Sequence, residues 1–136
     1  MRVDGACHCG KLAFEADLDP EQVGVCHCTD CQTLTGTAFS MFVPVPRSAF
    51  RIVAGEPRIY VKTAESGNRR AQAFCAECGT RIYASTVDDP QMFNLRVGTI
   101  RQRAQLPPRI QFWCRSALPW VKELDSVAEL PTQPPM

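Results

Sequence analysis

Near the start of the chain, Leu12, Phe14 and Ala16 alternate with Lys11, Ala13 and Glu15. This is the two-residue period of a strand with one face buried. Just before it, Val3 to Cys7 reads as a short strand that ends in a tight turn at Cys9-Gly10. Asp17 to Gln22, with Pro20 inside it, predicts a turn-rich connection, and Gly24 to Cys28 a further short extended piece. Thr29 is placed to cap a single helical turn over Asp30 to Leu34, which Gly36 breaks.

Beyond that point the pattern is almost wholly β. Ala38 to Val45 is rich in Phe and Val and is expected to stop at the Pro44 and Pro46 pair. Phe50 to Val53 and Arg58 to Lys62 predict two strands joined through the turn sequence Gly55-Glu56-Pro57, and Ser66-Gly67-Asn68 is the next tight connection. Ala71 to Phe74, Thr80 to Ala84, Met92 to Val97 and Ile110 to Cys114 complete the strands. No internal repeat, heptad or helix longer than a turn or two is found. The expected fold is mainly β: one small domain of short antiparallel strands over residues 1–130, followed by a Pro-rich flexible tail over 131–136.

Composition changes this picture little. With 136 residues, 45% hydrophobic and 21% charged, the chain suits one soluble domain with a real core. A net charge of +1 carries no electrostatic footprint for nucleic acid or anionic lipid. Met1 to Gly10 lacks the apolar core of a signal peptide, and the Ala38 to Val45 stretch is too short to span a bilayer. The expectation is a cytoplasmic protein with no nucleic-acid or membrane partner.

Eight cysteines change it a good deal. Cys7 and Cys9, like Cys26 and Cys28, are separated by one residue, too close to bridge without a strained ring. Clusters of two and three thiols suit a metal that gathers several thiolates, zinc above all. Two segments, CHCG at Cys7 to Gly10 and CAECG at Cys75 to Gly79, end a cysteine pair in glycine. That is the chemistry of a zinc knuckle, whose tight turn favours a residue tolerant of the left-handed conformation. Cys7, Cys9, Cys75 and Cys78 are therefore expected to form a closed, structural four-thiolate zinc site. The string CHCTDC supplies Cys26, Cys28 and Cys31 with no glycine behind it. Three ligands make an open site unless Cys114, the one cysteine left over, folds beside them and closes it.

Zinc with three thiolates carries a formal charge of minus one, so it is poorly suited to making hydroxide and better suited to holding an exogenous thiol. A zinc deaminase is excluded because neither His-x-Glu nor Pro-Cys-x-x-Cys occurs. Cys26, Cys28 and Cys31 are thus the candidates for chemistry. A thiol-redox role is the weaker alternative, although an easily lost second zinc would leave three oxidisable thiols. His8 and His27, each between two cysteines, point away from the metal in an extended segment. Asp30 and Glu77, inside their Cys-x-x-Cys loops, are candidates for acid or base, although an exposed loop carboxylate is the commoner reading. Thr35, Thr37 and Ser40 carry hydroxyls within reach of a ligand, although Gly36-Thr37 more simply marks a turn.

Three ordered strings, CHCGKLAFEA at Cys7 to Ala16, CHCTDCQTLTGTAFS at Cys26 to Ser40 and FCAECGTRIYAS at Phe74 to Ser85, resemble the glutathione-dependent formaldehyde-activating enzymes. This is the family that includes centromere protein V-like proteins and shares a β-tent zinc fold. WCRSALPW at Trp113 to Trp120 resembles the family's C-terminal segment. The resemblance implies a structural zinc at Cys7, Cys9, Cys75 and Cys78 and a second, catalytic-type zinc at Cys26, Cys28 and Cys31; three ligands hold less tightly than four, so the second is expected to be the more labile. It also implies carbon–sulfur lyase chemistry joining glutathione, as cosubstrate, to formaldehyde or another small aldehyde. On that reading Lys62, Arg69 and Arg70 can hold glutathione's carboxylates, although a solvated hairpin tip explains them equally well. Trp113 and Trp120 are expected to pack on the sheet. The alternative is a non-catalytic zinc-stabilised module that contacts a protein or carries a thiol ligand.

Overall fold

The computed structural model describes residues 1–135; Met136, the end of the expected tail, lies outside the described residues. Among these, the chain forms ten strands and one α-helix. In order they are β1 Arg2–Ala6, β2 Ala13–Asp17, β3 Gly24–Cys26, α1 Thr29–Thr35, β4 Ser40–Pro46, β5 Phe50–Ala54, β6 Arg58–Thr63, β7 Arg69–Phe74, β8 Arg81–Thr86, β9 Met92–Arg96 and β10 Ile110–Phe112. No helix among the described residues is long and apolar enough to cross a membrane.

The strands make two sheets, a small one ordered β1-β2-β5 and a large one ordered β10-β3-β4-β9-β8-β7-β6. Pairing is antiparallel except for β10, which lies parallel to β3 with Phe112 opposite Cys26. The Gly55-Glu56-Pro57 turn does not make a hairpin. It carries the chain out of the small sheet, where β5 pairs with β2, to the far edge of the large one, where β6 pairs with β7. The β4 strand also runs through Pro44 to Pro46 rather than stopping there. Its pairing with β3 ends at Phe42, so from Val43 onward it has a neighbour on one side only. A proline lacking an N–H is tolerated at such a free edge.

Alternation assigns each face of the large sheet a different task. On one side Val43, Val45, Leu95 and Ala73 are buried, and Val3, Phe14 and Ala16 of the small sheet are buried with them. Phe50 of β5 ties the layers together, its ring centroid 5.9 Å from Phe14, 5.7 Å from Tyr83 and 4.9 Å from Phe93. On the other side Ser40, Phe42, Gln72, Ala84, Asn94 and Arg96 form the floor of an open cavity of about 690 Å³. The hydrophobic core therefore lies between the sheets, and the opposite face of the large sheet opens on the cavity.

Candidate functional site

Seven of the eight cysteines converge into two groups that could hold metal ions, Cys7, Cys9, Cys75 and Cys78 in one and Cys26, Cys28 and Cys31 in the other. The ligand atoms within each group lie within 4.8 Å of one another.

The four-thiol group is built from two matching loops. Cys7 N donates to Leu12 O at 3.0 Å, and Cys75 N donates to Thr80 O at 2.9 Å, so each loop closes across five residues. Gly10 and Gly79 take φ of +84° and +79°, the left-handed turn the sequence requires of them. One amide of the loop reaches a sulfur: Leu12 N donates to Cys7 Sγ at 3.2 Å. Thiolates about 2.3 Å from a tetrahedral ion stand roughly 3.8 Å apart. The Cys7–Cys9 and Cys9–Cys75 sulfur separations are 3.6 and 3.7 Å, so the donors fit such an ion. Without an ion the charge is unevenly shared. The Thr80 hydroxyl and amide draw Cys78 down to about 5. The Lys11 amide pulls Cys9 the same way, but burial and the three neighbouring sulfurs prevail and push it up to about 12.

The three-thiol group is held by the end of β3, the start of α1 and the C-terminal segment. Thr29 was the expected cap of the helix, but Cys28 is the N-cap, its Sγ accepting from Cys31 N at 3.3 Å. Gly36, with φ +65°, closes the other end. Gln32 Nε2 donates to His27 O at 2.9 Å and to Ser116 O at 3.0 Å, pinning the helix between β3 and the chain's later turn. Here too the sulfurs cannot all ionise alone. Cys31 is drawn down to about 5, first by the Cys26 thiol and then, against burial, by Ser40, Cys28 and the positive charge of Arg96. Cys26 is pushed far above the usual thiol range, first by Cys31 and then by burial. Burial raises Cys28 as well. A bound dication removes this conflict, since metal ligands must be deprotonated.

Cys114 does not close the group. Trp113 adopts a left-handed conformation at φ +58°. Cys114 beyond it is exposed, with its thiol donating to Gln111 O at 3.7 Å. It does not join the three-thiol group. Trp113 also departs from its expected place on the sheet: it is 42% exposed, lines the cavity mouth and carries Arg115 4.9 Å above its ring. Trp120 is likewise exposed at 51%.

Neither histidine joins a thiol group, in line with the expectation. His8 is exposed. His27 is buried, its Nε2 donating to Gln111 Oε1 at 2.8 Å and its ring edge-on to Phe39. Asp30 is engaged by Lys62 at 3.0 Å and Glu77 by Lys11 at 3.5 Å. The Thr35 and Thr37 hydroxyls are spent on Cys31 O and Phe39 O, both at 2.7 Å. Ser40 Oγ is different: it is buried with no satisfactory partner and faces Cys31.

All three cysteines of this group line the 690 Å³ cavity, together with Ser40, Phe42 and Phe112. Arg70 lines the cavity while Arg69 stays exposed at the strand edge. Sequence reasoning missed Gln72, Arg81 and Arg96. Gln72 Oε1 accepts from Arg81 Nη2 at 3.2 Å and from Arg96 Nη2 at 3.3 Å, beside the thiols. No local motif marks these residues; only the polar half of the alternation in β7 and β9 pointed to that face.

Fold and site together define a two-sheet β protein with one four-thiol clamp and one three-thiol cluster opening on a cavity. The profile of the glutathione-dependent formaldehyde-activating enzymes matches residues 2–116, and the chain belongs to that family. Both cysteine groups and the whole cavity lining fall within that span. A solved crystal structure of a Rhodobacter sphaeroides protein shares the fold, with a TM-score of 0.61 at 19% identity over 79% of this chain and 98% of that one.

Proposed function

We propose that this protein is a zinc-dependent carbon–sulfur lyase-type enzyme that makes or breaks the adduct of a glutathione-like thiol with formaldehyde or another small aldehyde. The observation that carries this reading is the three-thiol cluster opening into a cavity while Cys114, which would have closed it, stands outside. That arrangement favours an exchangeable ligand over a purely structural, non-catalytic module. Free thiols in such number suit a reducing, cytoplasmic setting.

Cys7, Cys9, Cys75 and Cys78 would hold one zinc for structure, and Cys26, Cys28 and Cys31 a second. The second zinc would supply a fourth position for the substrate thiol and favour its ionisation. The chain's own residues set the geometry. Gln32 fixes the helix that carries Cys31, and Ser40 faces the Cys31 sulfur from the sheet side. Phe42 and Phe112, with ring centroids 5.3 Å apart, keep water from one wall of the cavity. In the forward direction the thiol sulfur bonds to the carbonyl carbon. The carbonyl electron pair moves to oxygen, which takes up the proton the thiol gave up. The lyase direction reverses each move. Thiols add to formaldehyde unaided, so the gain lies in proximity and orientation within the cavity.

Zinc content and glutathione binding, compared between wild type and Cys28→Ser before and after mild chelation, test the reading. Two zincs per chain are expected, one removed by chelator or by the substitution with the fold intact and glutathione binding lost alongside. Two zincs that resist chelation, or unfolding on loss of either, would make both sites structural and overturn the proposal.

A further inference from the structure

The cavity's charges do not balance. Two of its cations are already matched at the rim: Glu21 binds Arg109 at 3.3 Å, and Asp30 of α1 binds Lys62 at 3.0 Å. Deeper in, Arg70 and Arg96 line the floor with no carboxylate partner among the described residues, and Arg81 has none either. Arg81 and Arg96 converge instead on one neutral oxygen, Gln72 Oε1, and Arg96 Nε is buried with nothing to accept from it. Like charges brought together on a partly dehydrated surface need an anion nearby.

The thiol cluster lines the same cavity as Arg96 and supplies part of that charge when its thiols are ionised. Once the cluster holds a dication, however, it retains only one formal negative charge, and a bound thiolate adds a second. Counting Arg81, which reaches the floor through Gln72 rather than lining it, three guanidiniums then exceed the negative charge by one. The sheet also places the excess where a ligand can reach it. Cys26 pairs with Ser40, and Phe42, two residues along β4 on the same face, pairs with Arg96. Arg70 and Gln72 continue that face on β7.

We infer that Arg70 and Arg96, with Arg81 oriented through Gln72, form a carboxylate subsite on the cavity floor, so that the adduct handled at the thiol cluster is an anionic one whose carboxylate lies within a few bonds of its sulfur. The inference rests on the thiol-binding reading above and adds a substrate class to it. A planar guanidinium fork matches a carboxylate in two-point contact, which a lysine in its place would not reproduce. Formaldehyde itself needs no such subsite, so the recognition falls on the thiol or on an aldehyde that carries its own acid group.

The test titrates zinc-loaded protein by calorimetry with mercaptoacetate, 3-mercaptopropanoate and the neutral 2-mercaptoethanol. Wild type is expected to bind one of the two acids at least tenfold more tightly than the neutral thiol. In Arg70→Gln and Arg96→Gln that preference falls toward one, with zinc content and mercaptoethanol affinity retained; Arg96→Lys recovers only part of it. Equal affinities in wild type, or a preference unchanged in both Gln variants, would overturn the inference. So would loss of zinc and of all three thiols alike in the variants, because the arginines would then serve the cluster alone. If no thiol binds even to wild type, the thiol-binding reading fails, and propanoate decides the subsite by itself. Binding to wild type but not to Arg70→Gln or Arg96→Gln supports it, and no binding to either overturns it.

Discussion

Cys114 and Cys31 are both cysteines on short helical turns, yet their surroundings give them opposite fates. Cys31 is packed beside Cys26, Cys28 and Ser40 with Arg96 acting on its charge. Cys114 is turned outward past the left-handed Trp113, and its thiol meets one backbone carbonyl. Spacing cannot separate these cases, because the deciding quantity is a single φ angle at Trp113, a residue type with no preference for that region. It follows that Cys114→Ser leaves both thiol groups intact. Metal content per chain should be unchanged, and stability in urea should stay within about 0.5 kcal/mol of wild type, as for other exposed substitutions. A lost zinc would mean that Cys114 completes the second site in solution.

At the scale of elements, α1 shows how one residue serves two purposes. Cys28 ends the extended segment at ψ 152°, caps the helix through its sulfur and offers that same sulfur to the cluster. Thr29 is the better cap by residue type, but Cys28 precedes the first helical residue, where a side chain meets the free amides. Serine at this position keeps a capping oxygen and loses the thiolate, whereas alanine loses both. Cys28→Ser and Cys28→Ala should therefore each lose the second metal. The alanine variant should also be less stable than the serine variant, by about 1 kcal/mol in thermal or urea melts of the protein holding one zinc. Equal stability would show that the sulfur-to-amide contact contributes nothing to the helix. The strands were more legible than this cap because their evidence repeats: Leu12, Phe14 and Ala16, or Val43 and Val45, state the buried face several times over. β10 was expected to be antiparallel like the rest, and nothing in Ile110 to Phe112 reveals that it lies parallel to β3. Direction depends on the path of residues 97–109, which carry no period of their own.

Across the whole molecule, legibility follows sequence distance. Each cysteine group could be read because its ligands arrive in short strings, and the glycines at 10 and 79 told the two kinds of string apart. The arginine floor could not, because Arg70, Arg81, Arg96 and Gln72 come from three strands and only the β7-β8-β9 register brings them together. The same architecture makes the two thiol groups unequal. Cys7 and Cys9 follow β1 in the small sheet, while Cys75 and Cys78 lie between β7 and β8 of the large one, so the four-thiol group joins both sheets at a separation of 66 residues between Cys9 and Cys75. Cys7 and Cys75 are moreover part of the buried core. Cys26, Cys28 and Cys31 span only β3 and α1, at the cavity side, outside that core. Binding of a structural zinc adds on the order of 10 kcal/mol to folding, comparable to the whole stability of a domain this size. Cys78→Ser, although it alters an exposed residue, should therefore abolish the native far-ultraviolet circular dichroism and the cooperative melt. Cys28→Ser should keep both while its metal content falls by one. A Cys78→Ser protein that melts cooperatively with its strands intact would show that sheet packing, led by Phe14, Phe50 and Phe93, holds the two layers together without the clamp.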